Sequence, residues 1–573
     1  MAPSRGATLT FVDADLRRRS AVRTAGHWFG DPERPQLGWL TVPAGRPTAS
    51  AFVIAPPVGC AYLCAHRALR TIAEGLAAQG HCVLRVDYDG TGDSAGDQWE
   101  PDRLPAWRGT VSAAVEALRS AGMESITLAG ARLGATLALI DASALGADAV
   151  IAWAPVVSGR RFTRELQMLG TAVPDQQANE PGTLVSAGNV FSAQTLDAIK
   201  GLSLDRLDAA PAARVLLVGD PGTTDATADA LTTLGTEVRC AEIAGGEAAL
   251  ETPAEYGTVP VEIVEAICAY AGEASSPIHP SGRRQAQAGE AVLGLAVRRA
   301  RLTWRGGPVE EEVLTLDPHN HVAIVTEPAT PPSPDAATLV FLNPGSEPHT
   351  GPGRCWVEYA RDLARLGHRV VRVDWRGWGE SPDDGRAPGR PYADGVIEDT
   401  AAIVDALRAL GHERVVLSGL CASAWVALQA LDASAAAGAI VLNAPIFWEP
   451  GVPIVVEADK AQRYYAEVYG NLGNGLRPRL WGVLDAVGVR PLGGRLLDRL
   501  KASGKPVTLI FAEDDAGIRY LRDRLARRTA RVTRRGRVTV QEIPEIDHPM
   551  YRAWLRPRVV EAIDRALRAI DAV

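Results

Sequence analysis

The sequence lacks a long apolar segment. Its first 20 residues contain no apolar signal-peptide core, and no run of about 18 uninterrupted apolar residues, the length of a membrane helix, follows them. The nearest approach, residues 135–159, is interrupted by Asp141, Asp148 and Pro155, and predicts a buried helix followed by a buried strand. We therefore expect a cytoplasmic protein that contacts no membrane.

The sequence also has little of what nucleic-acid or metal binding requires. Its 60 Lys and Arg against 68 Asp and Glu give a net charge of -8, so no overall basic field attracts a phosphate backbone. The seven cysteines have no paired spacing, which predicts reduced thiols. Cys60 and Cys64 are four residues apart, but no second Cys or His pair lies near enough to complete a zinc site. We expect no nucleic-acid partner, no metal and no cofactor.

The chain of 573 residues contains a repeat of about half its length. The segment VLRVDYDGTGDS at 83–94 returns as VVRVDWRGWGES at 370–381. Segments on both sides repeat in the same order: FVIAPPVG at 52–59 with VFLNPGSE at 340–347, and ITLAGARLGATLAL at 126–139 with VVLSGLCASAWVAL at 415–428. The sequence therefore predicts two similar domains, residues 1–275 and 291–573, joined by an aperiodic linker at 276–290.

Each copy alternates apolar runs with helical patterns. A strand, a helix such as EYARDLARLGH at 358–368 and a second strand ending in a Gly-rich turn follow one another. This alternation predicts an α/β fold with a mostly parallel sheet flanked by helices. Because such sheets bind ligands at the carboxyl ends of their strands, we expect the chemistry to lie on those loops.

A candidate nucleophile follows a strand in the second half. SGLCASAW at 418–425 comes after an apolar run and opens a helix, the context of the G-x-S-x-G nucleophile elbow of α/β-hydrolases. Cys421 occupies the nucleophile position, Gly419 the first glycine position, and Ser423 replaces the second glycine. A helix N-terminus favours a thiolate, so we expect Cys421 to be a reactive nucleophile, the alternative being a buried apolar cysteine.

Candidates for the acid and the base follow Cys421 in the order that this triad requires. KPVTLIFAEDD at 505–515 predicts a strand ending in carboxylates, and the loop after the next strand carries His548. We predict His548 as the base and Asp515 as the acid that orients its ring, with Asp514 in reserve. A loop cap is the alternative role for either carboxylate.

The oxyanion of an acyl-transfer intermediate needs two backbone donors. We expect one from Ala422 and the other from Gly345 or Ser346, because Pro344 has no N–H group. His349, on the same loop, is a candidate substrate contact. The long aromatic-containing connection at about 446–500 predicts a cap over the pocket.

The first half lacks this chemistry. Arg132 stands at the nucleophile position and stays protonated, and Ala248 stands where His548 stands in the second half. Arg132 either clamps an anionic group of a substrate or pairs with Asp220, which follows the strand at the acid position. We expect a degenerate, non-catalytic domain.

The two halves resemble two α/β-hydrolase families found beside exosortase systems, the exosortase A system-associated hydrolases. The first half resembles the second type through GARLGA at 130–135 and APVVSGRRFTRELQML at 154–169. The second half resembles the first type through RVDWRGWGES at 372–381 and GLCASA at 419–424, although the Asp that usually follows that elbow is absent. The resemblance implies a tandem fusion of two such domains, each with a cap-like insertion. By association with acyl-activating enzymes and carrier proteins, it also implies a thioester substrate.

Three functions remain open at this stage. The first is an acyltransferase or thioesterase that uses a Cys421 acyl-enzyme and takes a small acyl substrate from CoA or from an acyl or peptidyl carrier protein. The second is a simple ester or lactone hydrolase, and the third is a non-catalytic binding or scaffold protein. The segment 522–537 is either a docking patch for an acidic carrier or a solvated helix face. Its arginines are Arg522, Arg524, Arg527, Arg528, Arg531, Arg534, Arg535 and Arg537.

Overall fold

The computed structural model describes most of the chain. The described residues are 22–45, 47–173, 175–176, 180–274, 297–383, 392, 394–446, 494–513, 515–534 and 536–572. They form two compact units whose main division falls between Leu314 and Thr315. The predicted linker at 276–290 lies outside the described residues, so the domain limits stay a prediction. No helix in the described part of the chain is long and apolar enough to cross a lipid bilayer.

The first half builds one large sheet and one small hairpin. Its strands are β1 (Val22–Phe29), β2 (Gln36–Pro43), β3 (Ser50–Ala55), β4 (Cys82–Val86), β5 (Ser125–Ala131), β6 (Ala149–Trp153), β7 (Leu184–Ser186), β8 (Asn189–Phe191), β9 (Arg214–Gly219) and β10 (Glu237–Glu242). Its helices are α1 (Cys60–Ala78), α2 (Arg103–Ser120), α3 (Leu133–Asp141), α4 (Gly159–Gly170), α5 (Ala193–Lys200), α6 (Asp225–Thr233) and α7 (Val261–Ala274). Helix α3 and strand β6 are the buried helix and strand predicted within 135–159.

The second half builds a sheet of nine strands. These are β11 (Arg299–Trp304), β12 (Gly307–Leu316), β13 (His321–Pro328), β14 (Thr338–Phe341), β15 (Arg369–Val373), β16 (Val415–Leu420), β17 (Gly438–Leu442), β18 (Val507–Ala512) and β19 (Val538–Ile543). Its helices are α8 (Cys355–Arg365), α9 (Asp394–Ala409), α10 (Ala422–Ala433), α11 (Gly494–Ser503), α12 (Ala516–Arg524), α13 (Ala526–Thr533) and α14 (Arg556–Asp571).

The two sheets have the same strand order. The first runs β1-β2-β4-β3-β5-β6-β9-β10, and the second runs β12-β13-β15-β14-β16-β17-β18-β19, with β11 added beside β12. In both, the pairing is antiparallel at the start, as in β2 with β4 and β13 with β15, and parallel from there to the far edge. The duplication seen in the sequence is therefore a duplication of topology, and the predicted α/β class is confirmed.

Both faces of each sheet are covered by helices. In β3, Ala51, Val53 and Ala55 pack in the cluster that contains α2 and α3, whereas Phe52 and Ile54 pack in the cluster that contains α1 and α7. Because successive side chains of a strand point to opposite faces, burial on both faces requires an unbroken apolar run. This requirement explains why the central strands consist mainly of Val, Ile, Leu, Phe and Ala.

The first turn of α3 packs directly against the end of β3. A Cβ atom on Gly134 would overlap the backbone carbonyl oxygens of Ala55 and Pro56. Backbone atoms of a central strand cannot move aside cheaply, because they are held by ladder hydrogen bonds on both sides. Glycine at 134 is therefore required by the close approach of helix and strand.

We expect Gly134→Ala to lower the unfolding free energy by about 2 kcal/mol, since the added methyl group overpacks a rigid contact. Gly109→Ala is the matched control, because Gly109 lies within α2 and a Cβ there would meet nothing within 4 Å. That change is expected to raise the unfolding free energy by about 0.5–1 kcal/mol through helix propensity. Thermal melting of both variants checks the prediction, and equal melting temperatures would contradict it.

Candidate active site

Cys421 lies at the turn between β16 and α10. It is the N-cap residue of the helix, with φ 56° and ψ -114°, a backbone conformation that side-chain-bearing residues rarely adopt. Its N–H group donates to the carbonyl oxygen of Leu442 at 3.0 Å, which fixes the turn against the neighbouring strand β17. This strand, turn and helix arrangement projects Cys421 at the carboxyl edge of the parallel sheet, as the sequence predicts.

The elbow accommodates serine in place of its second glycine. The Oγ of Ser423 accepts from the N–H of Leu420 at 3.0 Å, so the hydroxyl is used inside the turn. A Cβ on Gly419 would lie 2.5 Å from the backbone carbon of Ser423, so the first glycine is required by this close approach. The departure from the usual glycine pattern thus leaves the backbone of the elbow intact.

The structure brings His548 and Asp515 together with Cys421. The Nδ1 of His548 and the Oδ2 of Asp515 are 2.5 Å apart, and the side chain of Asp515 is 3 % exposed. The other oxygen of Asp515 accepts from the N–H of Gly517 at 2.8 Å, which caps α12. His548 is also electrostatically coupled to Cys421. Asp515 therefore both caps a helix and orients the imidazole, and the reserve candidate Asp514 lies outside the described residues.

The charge of Cys421 affects the protonation of His548. Desolvation lowers the pKa of His548, but the interaction with Cys421 and the hydrogen bond to the Asp515 carboxylate outweigh it, and the pKa lies well above its ordinary value of 6.5. The arrangement therefore favours an imidazolium beside the sulfur. Such a pair can deliver a thiolate to a carbonyl carbon and return a proton to a leaving group.

The loop after β14 carries the predicted oxyanion donors. The carbonyl oxygen of Gly345 accepts from Nε1 of Trp378 at 3.2 Å, and Gly345 has a φ of 60°. Within the described residues, the N–H groups of Gly345 and Ser346 meet no acceptor. Ala422 is the first residue of α10, where N–H groups have no intrahelical partner. These are the conditions that oxyanion donors require.

A buried carboxylate holds this loop. Asp374, fully buried after β15, accepts from Nδ2 of Asn343 at 2.6 Å, from the N–H of His349 at 2.8 Å and from the N–H of Glu380 at 2.9 Å. The Nδ1 of His349 lies 2.6 Å from the same carboxylate. Although burial raises the pKa of Asp374, the charge of His349 and these hydrogen bonds lower it below its ordinary value. His349 thus helps to hold the loop through its two contacts with Asp374. Its predicted contact with substrate stays a prediction.

Asn443 is a supporting residue that the sequence reasoning missed. It follows β17 with a φ of 49° and is 1 % exposed. Its Oδ1 accepts from the N–H of Ala512, at the end of β18, at 2.7 Å. Its Nδ2 donates to the carbonyl oxygen of His548 at 2.9 Å. Asn443 therefore fixes the base-carrying loop relative to the strand that leads to Asp515.

A buried ion pair joins the helix that follows the His548 loop to the helix that follows the β14 loop. Nη1 of Arg556 lies 3.0 Å from Oε2 of Glu358. Arg556 begins α14, and Glu358 lies in α8, the helix after the loop that carries the predicted oxyanion donors (the oxyanion loop). The two side chains are 3 % and 1 % exposed. Removing one partner of such a pair leaves an uncompensated buried charge, so the pair constrains both helices.

In the first half the elbow keeps its geometry but holds a different side chain. Arg132 has φ 51° and ψ -122°, close to the values of Cys421. Its Nη2 lies 2.7 Å from Glu165 and 3.6 Å from Glu251, the carboxylates it meets among the described residues. Asp220 instead accepts from the N–H of Gly246 at 2.9 Å. The alternative in which Arg132 pairs with Asp220 is therefore not realised, because Arg132 pairs with Glu165 on α4 instead.

The first half has no base where the second half has His548. Ala248 begins a single 3-10 turn after β10, Ala248–Leu250. An arginine that stays protonated and an alanine cannot provide a nucleophile and a base. Residues 447–493 of the predicted cap in the second half lie outside the described residues, so the cap at 446–500 stays a prediction.

Residues 339–563 match the model of the Alpha/beta hydrolase family, and this segment contains Cys421, Asp515 and His548. No curated protein matches the sequence. Together with the strand order, the family match assigns the α/β-hydrolase fold that the sequence predicts.

Several solved structures are similar to parts of the chain. Est1E from Butyrivibrio proteoclasticus, solved with ferulic acid bound, is 19% identical with a TM-score of 0.34, and the match covers 43% of this chain and 98% of that one. An esterase from Pyrobaculum calidifontis is 17% identical with a TM-score of 0.32, covering 47% and 93% of the two chains. XC6422 from Xanthomonas campestris, an α/β serine hydrolase without a lid, is 18% identical with a TM-score of 0.28, covering 45% and 94%.

We expect the ring of His548 to titrate above pH 6.5, and expect both Cys421→Ala and Asp515→Asn to lower its midpoint, since each removes an interaction that favours the imidazolium. NMR of histidine-labelled protein, with the resonance assigned by His548→Gln, measures all three midpoints. Because the pKa is raised on folding, the stabilisation is complete below about pH 6.5 and is lost as the pH rises through the folded-state value. An unchanged midpoint in both variants would refute the coupling.

We expect Asn443→Ala to slow modification of Cys421 by a thiol-directed alkylating probe by about tenfold, because the loop that carries His548 loses its anchor. The backbone tolerates alanine there, since Ala154 follows β6 of the first half with a φ of 47°. Asn443→Asp keeps an oxygen that accepts from the N–H of Ala512 but loses the N–H group that donates to the carbonyl oxygen of His548. This variant therefore tests the bond to His548 separately from the bond to Ala512.

Asn320→Ala is the matched control for this substitution. Asn320 also has a positive φ, 57°, but is exposed in the turn between β12 and β13. Labelling at an unchanged rate in Asn443→Ala, or an equal loss in Asn320→Ala, would exclude the anchoring role of Asn443.

Proposed function

We propose that the second half catalyses acyl transfer through a Cys421 acyl-enzyme, taking its acyl group from a thioester of CoA or of an acyl or peptidyl carrier protein. The observation that carries this proposal is the Cys421, His548 and Asp515 set, in which Nδ1 of His548 lies 2.5 Å from Oδ2 of Asp515 and the ring is electrostatically coupled to Cys421. The match of residues 339–563 to a hydrolase family supports the same reaction class. The resemblance to exosortase-associated hydrolases supports a biosynthetic setting.

The first half-reaction forms the acyl-enzyme. The sulfur of Cys421, whose proton is held by His548, attacks the thioester carbonyl carbon and forms a new C–S bond. The resulting oxyanion is met by the N–H of Ala422 and by the N–H of Gly345 or Ser346. When the tetrahedral intermediate collapses, the bond to the donor sulfur breaks, and the imidazolium of His548 returns the proton to the leaving thiolate.

The second half-reaction releases the acyl group. An acceptor amine, alcohol, thiol or water gives its proton to His548 and attacks the acyl carbon of the Cys421 thioester. Collapse of this intermediate expels the sulfur of Cys421 and restores the starting pair. Asp515 keeps Nδ1 of His548 hydrogen-bonded in both half-reactions, so Nε2 is the atom that faces the reacting groups.

The choice of cysteine favours a thioester donor and an onward transfer. Exchange between a thiol and a thioester is nearly balanced in energy, so Cys421 can accept an acyl group from a thioester and still pass it to an acceptor. A serine ester formed from the same donor would be more stable and would leave the enzyme less readily. Arg132 in the first half cannot perform either step, and we assign that half a non-catalytic role.

We expect wild-type protein mixed with small acyl thioesters to gain the mass of one acyl group, and expect Cys421→Ala to gain none. Intact-protein mass spectrometry measures this directly. Cys355→Ala is the matched control, because Cys355 is fully buried in the same half and burial raises the pKa of its thiol to well above the ordinary value of 9.0. This control is expected to be acylated as the wild type is.

Adding amines, alcohols, thiols or only water to the isolated acyl-enzyme then separates transferase from thioesterase. Loss of the acyl mass in water alone, at the rate seen with every acceptor, indicates a hydrolase. If the wild type gains no acyl mass and an alkylating probe does not select Cys421, the proposal of covalent catalysis fails and a binding function takes its place.

A further inference from the structure

One face of α13 presents an uncompensated positive charge. Arg527, Arg531 and Arg534 recur at intervals of four and three residues and are exposed, whereas Arg528 and Val532 on the opposite side of the helix are buried. Arg537, just before β19, is also exposed. We refer to Arg527, Arg531, Arg534 and Arg537 as the arginine face.

Two other arginines of this segment, Arg522 and Arg528, have structural partners. Arg522 pairs with Glu542 on β19, and Nη1 of Arg528 lies 2.6 Å from Asp498 of α11. In the described part of the chain, by contrast, no carboxylate forms an ion pair with a member of the arginine face. The face therefore differs from its neighbours in having no internal counter-charge.

The stability of the fold does not explain this arrangement. Like charges at i and i+4, such as Arg527 and Arg531, destabilise a helix, and their exposure gives little packing in return. The chain as a whole is acidic, with a net charge of -8, so the face is a local reversal of sign. A local cationic face on an acidic protein suits a small acidic partner better than an extended polyanion, which the remainder of the surface would repel.

The arginine face is connected directly to the triad. Asp515 is the N-cap of α12, whose nine residues rise about 14 Å before α13 begins. On the other side, β19 runs from the end of the face to the loop that carries His548. Since β19 is parallel to β18, the face and the His548 loop lie at opposite ends of β19, about 20 Å apart along the strand, and this is the span that the extended arm of a carrier would cover.

We infer that the arginine face docks the acidic surface of a carrier protein, so that the thioester on the carrier's flexible arm reaches Cys421. This inference rests on the proposed function and specifies its donor. Electrostatic docking of this kind acts mainly on the encounter between the partners and is weakened by salt.

The test compares a face variant with a matched control. The face variant is Arg527→Glu, Arg531→Glu and Arg534→Glu; the control is Arg365→Glu, Arg408→Glu and Arg565→Glu, three exposed arginines of α8, α9 and α14. The probes are a panel of purified acidic carrier proteins bearing an acyl phosphopantetheine, and an acyl pantetheine too short to contact the face. The measured quantity is the ratio of the Cys421 acylation efficiencies with the two kinds of donor.

We expect the ratio to fall about tenfold in the face variant through KM, and to change less than about twofold in the control. Carrier affinity, measured by fluorescence anisotropy, is expected to fall in parallel for the face variant and to weaken with added salt for the wild type. An unchanged ratio, or an equal loss in both variants, overturns the docking.

The binding measurement keeps the inference separate from the proposed function. If no donor acylates wild-type Cys421, the proposed function fails, and the docking is then judged by carrier affinity alone. Double-stranded DNA, anionic vesicles and free CoA are measured alongside. Binding of any of these through the face, with no binding of the carriers, overturns the inference in favour of that ligand.

Discussion

The candidate site depends on one backbone constraint, the positive φ of the residue between β16 and α10. A residue bearing a side chain adopts that conformation only when its surroundings over-determine it. Here the N–H of Cys421 is bonded to Leu442 on the next strand, and Gly419 packs against Ser423 so closely that a Cβ cannot enter. The strain places a sulfur at the start of a helix and at the edge of the sheet, where the neighbouring loops converge.

The first half shows that this constraint is independent of the chemistry it supports. Arg132 has almost the same backbone angles as Cys421, and its N–H donates to Trp153 on the next strand as that of Cys421 does to Leu442. Its side chain nevertheless meets Glu165 in place of a base. The duplicated topology thus supplies the same position twice, and only the side chains around it decide whether a nucleophile, a base and an acid meet there.

The sequence predicted the parts of the site that lie on strand ends in a known order, and missed the parts that act across the chain. Cys421, Asp515 and His548 each follow a strand, which is why pattern and order led to them as candidates. Asn443 bonds to a carbonyl 105 residues later in the chain, and α4 carries Glu165 onto Arg132; neither contact has a periodic or local signature. The repeated RVD at 85–87 and 372–374 contains Asp374, but its four donors follow only from the folded loop.

These long-range contacts decide how the site works. The oxyanion loop is held by Asp374, the His548 loop by Asn443, and the helices that follow both loops by the Arg556 and Glu358 pair. All of these groups are buried, so their hydrogen bonds cannot exchange readily with water. In the proposed reaction, donors and base are therefore fixed before a substrate arrives, and no free energy is spent on arranging them as charge develops on the carbonyl oxygen. If the second half catalyses the proposed reaction, its rate therefore depends on these supporting residues as well as on the triad.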